Sequence, residues 1–269
     1  MKLQTVVDIK PSDWKIGYED KILMVGSCFS DEIGEQMKQR YLNVTCNPFG
    51  TLYNPLSIAQ AFRIQPSDIS YQFHDGLWHS MAHHGSFSRT SKEETETAVR
   101  ESIETMQQAL DEATVVIVTF GTAWVYEMNG EIVGNCHKLP EKEFSRRRLL
   151  VEEIVEVWKP ILKKYSDKHW LFTVSPIRHV KDGLHENQLS KATLLQAVEE
   201  LGDYFPSYEI VLDELRDYRF YADDLVHPSS LAVSYIWERF VECYCTNQTK
   251  NELVLQHKRW KHEHHIPLH

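Results

Sequence analysis

The sequence predicts an α/β protein with a five-stranded, mainly parallel sheet that is covered by helices on both faces. Five short apolar runs alternate with stretches of helical period along the 269 residues, and this alternation is typical of parallel strands joined by right-handed helical crossovers. The third run, TVVIVTF at residues 114–120, is β-branched or apolar throughout, which indicates the central strand of the sheet. Two further stretches contain Asp-Gly or Asn-Gly between aromatic and apolar residues, which predicts two hairpin insertions.

The first half of the chain carries two of the five strands. Its predicted elements are, in order, a strand at 21–25, a helix at 30–41, a strand at 43–46, a helix at 54–62, a hairpin at 71–80 and a helix that begins after Ser91. Ser30 is the expected N-cap of the first helix because Asp31 and Glu32 follow it, where the helix dipole favours acidic side chains. Ser91 and Glu94 form a capping box in front of an apolar stripe.

The second half carries the other three strands. Its predicted elements are a strand at 114–120, a hairpin at 124–135, a helix at 144–165, a strand at 169–174, a helix at 190–201, a strand at 208–212 and a helix from His227-Pro228 to about residue 244. We find neither a repeat nor a linker, so residues 1–256 are predicted to form one domain. Residues 257–269, rich in His and Lys, have no clear period and are predicted to form a loosely packed tail.

Charge and composition argue against several classes of partner. The 29 basic and 39 acidic residues give a net charge of −10, which disfavours binding to nucleic acid or to an anionic membrane. No apolar run is long enough for a signal-peptide core or a membrane span, and the five cysteines have no paired spacing. We therefore expect a cytoplasmic protein with reduced thiols, without metal or cofactor, that acts on a small molecule; its oligomeric state stays open.

A serine stands where the first predicted strand meets the first predicted helix. The apolar run ends at Gly26, which permits a tight turn, and Ser27 follows. A hydroxyl at this junction lies beyond the carboxyl end of a strand, where open α/β sheets bind ligands, and near helical N–H groups that can hold an oxyanion. Ser27 is therefore a candidate nucleophile, although taken alone it is better explained as a turn residue.

Asp224 and His227 supply the groups that such a nucleophile requires. They stand three residues apart, about a dozen residues after the fifth predicted strand, so their loop can bring His227 over the carboxyl edge of the sheet. A serine is weakly nucleophilic until a positioned base accepts its proton, and a carboxylate fixes the tautomer of that base. On its own, the spacing better fits a solvated loop that caps a helix.

Other side chains near the strand ends are secondary candidates. Cys28 is intrinsically the better nucleophile, but if Ser27 points into the cleft, its neighbour is expected to pack into the core. Asn135 and His137 end the second hairpin and could line a substrate pocket, while Arg178 suits a carboxylate or phosphate. A solvated loop explains each of these positions equally well, and Cys136-His137 lacks the spacing of a zinc site.

Together these residues resemble the GSCFA family, which is similar to the SGNH, or GDSL-like, hydrolases. The resemblance rests on the GSCFS motif at residues 26–30 and extends to NPFG at 47–50, FGTAW at 120–124, NCHK at 135–138, Ser175-Pro176 and HPS at 227–229. It implies a flavodoxin-like three-layer αβα fold and a catalytic triad of Ser27, Asp224 and His227. The strand count derived above agrees with that fold.

The resemblance also implies an oxyanion hole made by the N–H groups of the serine and of a glycine in the second motif, with an asparagine side chain in the third. Gly50 matches the glycine by position, but Thr122 stands where the asparagine is expected. Thr122 could donate instead, or Asn54 or Asn135 could enter from a loop. Loss of one oxyanion donor can cost about 100- to 1000-fold in rate, so this departure bears on the reaction itself.

The expected activity is hydrolysis of an ester or acyl group of a small or carbohydrate-like molecule by Ser27, His227 and Asp224. An O-acyltransferase would use the same three residues with a sugar hydroxyl in place of water, and the departure at Thr122 favours it somewhat. A protein of another class, a non-catalytic module that binds a ligand in the same cleft, is the remaining alternative.

Overall fold

The computed structural model describes residues 4–264. Its strands are β1 (Lys21–Gly26), β2 (Asn43–Cys46), β3 (Tyr71–His74), β4 (Leu77–Ser80), β5 (Val115–Phe120), β6 (Trp124–Met128), β7 (Glu131–Val133), β8 (Ser145–Arg148), β9 (His169–Val174) and β10 (Asp203–Phe205). Its helices are α1 (Cys28–Lys38), α2 (Pro55–Ala61), α3 (Lys92–Glu112), α4 (Val151–Lys164), α5 (Leu184–Leu201), α6 (Ser207–Glu209, continued by a π-helical turn at Ile210–Leu215), α7 (Ser230–Tyr244) and α8 (Asn247–Glu263).

The main sheet has five strands in the order β10-β9-β5-β1-β2, and every neighbouring pair is parallel. This confirms the predicted sheet. β5 lies at its centre and is buried along its whole length, as its sequence predicts. All five strands therefore end at the same edge, which we call the carboxyl edge.

Helices cover both faces of the sheet, so the fold has three layers. Val116, Val118 and Phe120 of β5 pack on one side against α2, α3, α4 and α5, while Val115 and Ile117 pack on the other against α1 and α7. Strand alternation thus divides the apolar residues of β5 between two cores. The predicted three-layer αβα architecture is confirmed.

The fifth strand was predicted at the wrong residues. β10 is formed by residues 203–205, and Tyr208–Leu212 lies in α6 and its π-helical continuation. The Ser207 hydroxyl donates to the carbonyl of Val174 (2.8 Å) just after β10 ends. Tyr208, Ile210 and Val211 are buried. A buried helical turn gives the same short apolar run as a strand, because periodicity cannot separate the two over five residues.

Two insertions stand beside the main sheet, one of which is larger than predicted. β3 and β4 form the expected hairpin, but β6 and β7 are joined by a third strand, β8, which pairs with β6. Residues 145–148 were predicted to begin a helix. They instead pair with β6 as a strand of the insertion, and Arg147 also forms ion pairs with Glu127 of β6 and Glu153 of α4. Helix α4 therefore begins only at Val151.

The C-terminal segment also differs from the prediction. Helix α8 runs from Asn247 to Glu263 and thus includes the first half of the predicted tail; residues 265–269 lie outside the described part. Leu253 packs against the core, whereas Val254 and Leu255 are exposed. Within residues 4–264, no helix is both long and apolar enough to cross a membrane.

His83 links the first insertion to α3 and is a buried titratable group. The ring is fully buried, stacks on Phe49 at 4.1 Å and contacts the hydroxyls of Ser80 (2.7 Å) and Ser102 (2.9 Å). Burial, and next to it the charge of His137, lowers the pKa of His83 from 6.5 to about 3. The folded protein therefore holds a neutral imidazole that the unfolded chain protonates below pH 6.5.

We expect the free energy of unfolding to fall as the pH drops below 6.5. The unfolded state binds the extra proton, so each pH unit down to the folded pKa costs about 1.4 kcal/mol for His83. Urea unfolding at pH 6.5 and pH 5 measures the loss. His83→Gln keeps polar contacts to both serines but does not titrate. Its free energy of unfolding should therefore fall by about 2 kcal/mol less between pH 6.5 and pH 5 than that of the wild type. Equal losses in the two proteins would contradict the assignment.

Candidate functional site

The turn between β1 and α1 is fixed by Gly26. Its φ is +140°, and a Cβ added there would lie 2.2 Å from the carbonyl oxygen of Thr119 on β5. The Asn47 side chain accepts a hydrogen bond from the Gly26 N–H (2.8 Å). A glycine is therefore required at this position, and the chain leaves β1 directly into the first turn of α1.

Ser27 is the N-cap of α1 and does not face the cleft. Its side chain is 1% exposed, and its hydroxyl accepts a weak hydrogen bond from the N–H of Phe29 (3.3 Å). Ser30, the predicted N-cap, lies within the helix and donates to the hydroxyl of Thr119 (2.7 Å). The helix thus begins three residues earlier than the predicted N-cap implies, and this shift changes which side chain points outward.

Cys28 is the side chain that reaches the cleft. It is the first residue of α1, and its Sγ lies 3.8 Å from Nε2 of His227. The thiol is half-buried and lines the cleft at the carboxyl edge. The expected positions of Ser27 and Cys28 are therefore exchanged: the cysteine faces the histidine, and the serine is buried, with its N–H donating to the carbonyl of Thr119 on β5 (3.2 Å).

A tight loop holds Asp224 and His227 as a pair. The Ala222 N–H donates to the carbonyl of His227 (2.8 Å), which closes the loop. Asp224 Oδ1 accepts from the N–H groups of Val226 (2.9 Å) and His227 (3.0 Å), and Oδ2 lies 2.6 Å from His227 Nδ1. The contact between Asp224 and the other ring nitrogen of His227 is thus the one predicted from the sequence.

The pKa values of Asp224 and Cys28 are shifted in opposite directions. The backbone N–H groups of His227 and Val226, followed by the His227 ring, lower the pKa of Asp224 to about 2, so its carboxylate is ionised at neutral pH. Burial raises the pKa of the Cys28 thiol above 9, and Asp31 and Glu32 act in the same direction. Cys28 is therefore a neutral thiol at neutral pH, and a nucleophilic role for it would require a base that accepts its proton.

The thiol opens into a cleft of about 540 Å³ at the carboxyl edge. Besides Cys28 and His227, its walls include three aromatic and three basic side chains, namely Tyr53, Trp124, Tyr126, Arg146, Arg178 and Lys181. Trp124, Tyr126 and Arg146 come from the three-stranded insertion. A cleft of this size and composition fits a small molecule with both apolar and polar parts.

The other predicted site residues divide into two groups. Asn54, Asn135 and Arg178 line the cleft as expected. His137 does not: its ring is buried and lies 2.8 Å from the carbonyl of Ser80. The Gly50 N–H donates to the carbonyl of Asn47 (2.8 Å) within a turn, so Gly50 is not available as an oxyanion donor.

Thr122 lines the cleft, but its donors are already engaged. Its N–H donates to the carbonyl of Tyr53 (2.9 Å), and its hydroxyl contacts Ser190 (3.1 Å) and accepts from the N–H of Trp124 (3.1 Å). The predicted oxyanion role of Thr122 therefore does not fit this structure. The N–H of Cys28 is better placed, because it lies in the unpaired first turn of α1 and near the thiol, whose pKa it lowers.

Lys191 is a buried lysine near the site, and the sequence analysis did not identify it. It is 1% exposed, and its Nζ donates to the carbonyls of Gly121 and Ser175, both at 2.7 Å. These carbonyls directly follow β5 and β9, and burial lowers the Lys191 pKa to about 7. The signal in the sequence was a lysine three residues before Leu194 on the apolar stripe of α5.

The fold and these contacts define a three-layer α/β protein with a cysteine, a histidine and an aspartate in contact at the carboxyl edge of its sheet. The model of the GSCFA family matches residues 21–240, and the chain belongs to that family. No curated protein matches the chain.

Removal of the Ser27 hydroxyl should affect stability more than chemistry. Ser27→Ala deletes an N-cap, which costs about 1 kcal/mol of unfolding free energy, but leaves Cys28 beside His227. We expect thermal unfolding at a lower temperature, with alkylation of Cys28 by iodoacetamide retained. If Ser27→Ala instead abolished turnover of an acyl substrate while its fold stayed intact, Ser27 would again be the better candidate nucleophile.

Proposed function

We propose that the protein is an acyl hydrolase or acyltransferase with Cys28 as its nucleophile. The observation that supports this proposal is the series of contacts from Cys28 Sγ to His227 Nε2 (3.8 Å) and from His227 Nδ1 to Asp224 Oδ2 (2.6 Å). It is the arrangement that nucleophilic catalysis by a weakly acidic thiol needs. Cysteine replaces serine in the expected mechanism, while the roles of His227 and Asp224 are unchanged.

In the first half-reaction, Nε2 of His227 accepts the thiol proton as Sγ attacks the acyl carbon of an ester or thioester. In this proposal the N–H of Cys28, the first residue of α1, stabilises the oxyanion. The tetrahedral intermediate then collapses: the bond to the leaving alcohol or thiol breaks, that group takes the proton from His227, and a thioester on Cys28 remains. Asp224 holds the imidazole in the tautomer with a free Nε2 and stabilises the imidazolium.

In the second half-reaction, an oxygen nucleophile attacks the thioester while His227 takes its proton. Water gives hydrolysis; a hydroxyl of a sugar gives O-acyl transfer. In both cases the bond between the acyl carbon and Sγ then breaks, the acid or the new ester leaves, and the proton on His227 returns to Sγ to regenerate the thiol. We also propose that the protein works in the cytoplasm, where a reducing environment keeps a nucleophilic thiol free.

The test is to trap the acyl-enzyme. The full chain is mixed with acetyl and short-acyl esters of 4-nitrophenol and with the matching aryl thioesters, quenched in acid and measured by intact mass spectrometry. We expect one acyl group per chain, located on Cys28 by peptide mapping. If the enzyme is a transferase, the acyl group should leave Cys28 faster when sugar acceptors are added. If no substrate in this panel gives an adduct or turnover, the result would favour the non-catalytic binding module.

A further inference from the structure

The loop between β9 and α5, residues 175–183, brings basic residues to the cleft. Six consecutive residues of this loop, 177–182, line the cleft wall, and they include Arg178 and Lys181. The guanidinium of Arg178 donates to the carbonyl of Leu225 (3.1 Å) and lies over the ring of Tyr221 at 5.5 Å. Arg178 is thus held against the loop that carries His227, and its bond to a neutral carbonyl leaves its charge uncompensated.

The acidic side chains that line the cleft do not balance these charges; Asp31 and Glu32 act on Cys28 from α1, outside that lining. Among the lining residues of the described chain, Asp182 has the only carboxylate, and it pairs with Arg146. The Arg146 guanidinium also stacks on Trp124, with its carbon 4.2 Å from the ring centroid. Asp224 lies behind His227 and is bonded to it. Within residues 4–264, Arg178 and Lys181 therefore keep two positive charges at the cleft of a chain whose net charge is −10.

A local excess of positive charge on an acidic protein favours the binding of anionic ligands at that place. The net charge of the chain repels anions at a distance, but salt screens that repulsion beyond about 10 Å, whereas two cations on a concave wall act at contact range. Aromatic rings of Tyr53, Trp124 and Tyr126 supply the apolar part of the same wall. The cleft thus offers a surface for a planar or apolar body together with a site for negative charge.

Building on the proposed acyl chemistry, we propose that the substrate of this cleft carries an anionic group, a carboxylate or a phosphate, that lies against Arg178 and Lys181. The acyl carbon would then lie at Cys28. This names the class of the substrate: an anionic ester or thioester rather than a neutral one.

Two alkylating agents that differ in charge test the proposal without any acyl substrate. Iodoacetate is anionic and iodoacetamide is neutral, and both transfer a substituted methyl group to a thiolate with release of iodide. The measured quantity is the ratio of their rates at Cys28, followed by peptide mass spectrometry at an ionic strength of about 0.1 M, where the screening length is about 10 Å. It is compared with the ratio for free N-acetylcysteinamide, which has no carboxylate of its own. Because iodoacetamide serves as the reference, changes in the intrinsic reactivity of the thiol cancel.

We expect the ratio at Cys28 to exceed that of N-acetylcysteinamide and to fall about three- to tenfold in Lys181→Glu at about 0.1 M salt. Arg178→Gln should reduce it about two- to fivefold, and 0.5 M NaCl (roughly a 4 Å screening length) should reduce these differences. Lys163→Glu is the matched control: Lys163 is exposed near the C-terminal end of α4, at the opposite edge of the sheet, and should leave the ratio unchanged.

An unchanged ratio in Lys181→Glu and Arg178→Gln, or an equal fall in Lys163→Glu, would overturn the proposal. The result is separable from the acyl chemistry. If no acyl-enzyme forms but the ratio behaves as expected, the anion site stands and the proposed reaction fails; if an acyl-enzyme forms and the ratio does not change, the reaction stands and the substrate class is wrong.

Discussion

Cys28→Ala is expected to abolish acyl-enzyme formation and to reduce turnover of an activated ester or thioester by at least about 1000-fold, to the rate that binding and the oxyanion donor alone can supply. The reason is that, within residues 4–264, Cys28 has the only thiol or hydroxyl in contact with the His227 ring. Removal of one half-buried thiol from the first turn of a helix should change the unfolding free energy little, so circular dichroism of the variant should match that of the wild type.

Two further variants separate the residue type from its position. Cys28→Ser keeps the geometry but replaces the thiol with a hydroxyl whose proton is much harder to remove, so we expect a large loss with a residual rate. The exchange Ser27→Cys with Cys28→Ser keeps the composition of the turn and moves the thiol to the buried N-cap position. It should be no more active than Cys28→Ser alone. Restored activity in the exchanged protein would show that position 27 is the nucleophilic one.

The architecture could be predicted because it depends on patterns that each segment carries by itself. A β-branched run such as that of β5 has to be buried on both faces, and its alternation with helical stripes leaves a parallel sheet as the consistent arrangement. The fifth strand could not be placed, because β10 is three residues long and its position depends on contacts with Leu171 and Thr173 of β9. Those contacts exist only in the folded chain.

The candidate site was predictable in part for the same reason. Asp224 and His227 are in contact within one loop, so their spacing in the sequence is enough to predict that contact. Ser27 and Cys28 are adjacent, and the sequence does not specify the rotation at which the chain enters α1. A shift of one residue turns a side chain by about 100° around a helix axis. The tertiary contacts of Gly26 with Thr119 and Asn47 set this rotation and turn Cys28 toward the cleft.

The walls of the cleft depend on segments far apart in the chain. Arg146 reaches the cleft because β8 pairs with β6, which places it opposite Tyr126. Its charge is met by Asp182, 36 residues further along the chain. No local sequence pattern predicts that ion pair. The sequence predicted the edge of the sheet at which chemistry would take place, and long-range pairing decided which aromatic and basic side chains surround it.

Asp224→Asn is the second change from which we expect a large loss, about 100- to 10,000-fold in turnover. Asparagine Oδ1 can still accept the two backbone N–H groups that now bond to Asp224, so the loop should keep its shape. Its amide nitrogen, however, would donate to His227 Nδ1 in place of the carboxylate. The imidazole would then carry its proton on Nε2, and it could not accept the proton of the Cys28 thiol.

A tautomer effect has a signature that a folding defect lacks. Above the pKa of the thiol, solvent generates the thiolate without help from His227, so alkylation of Cys28 by iodoacetamide at high pH should proceed as fast in Asp224→Asn as in the wild type. Asp223→Asn is the matched control, since it removes the same charge from a neighbouring exposed residue and should keep wild-type turnover. An equal loss in both variants would point to the charge of the loop, because a change of tautomer can arise only at Asp224.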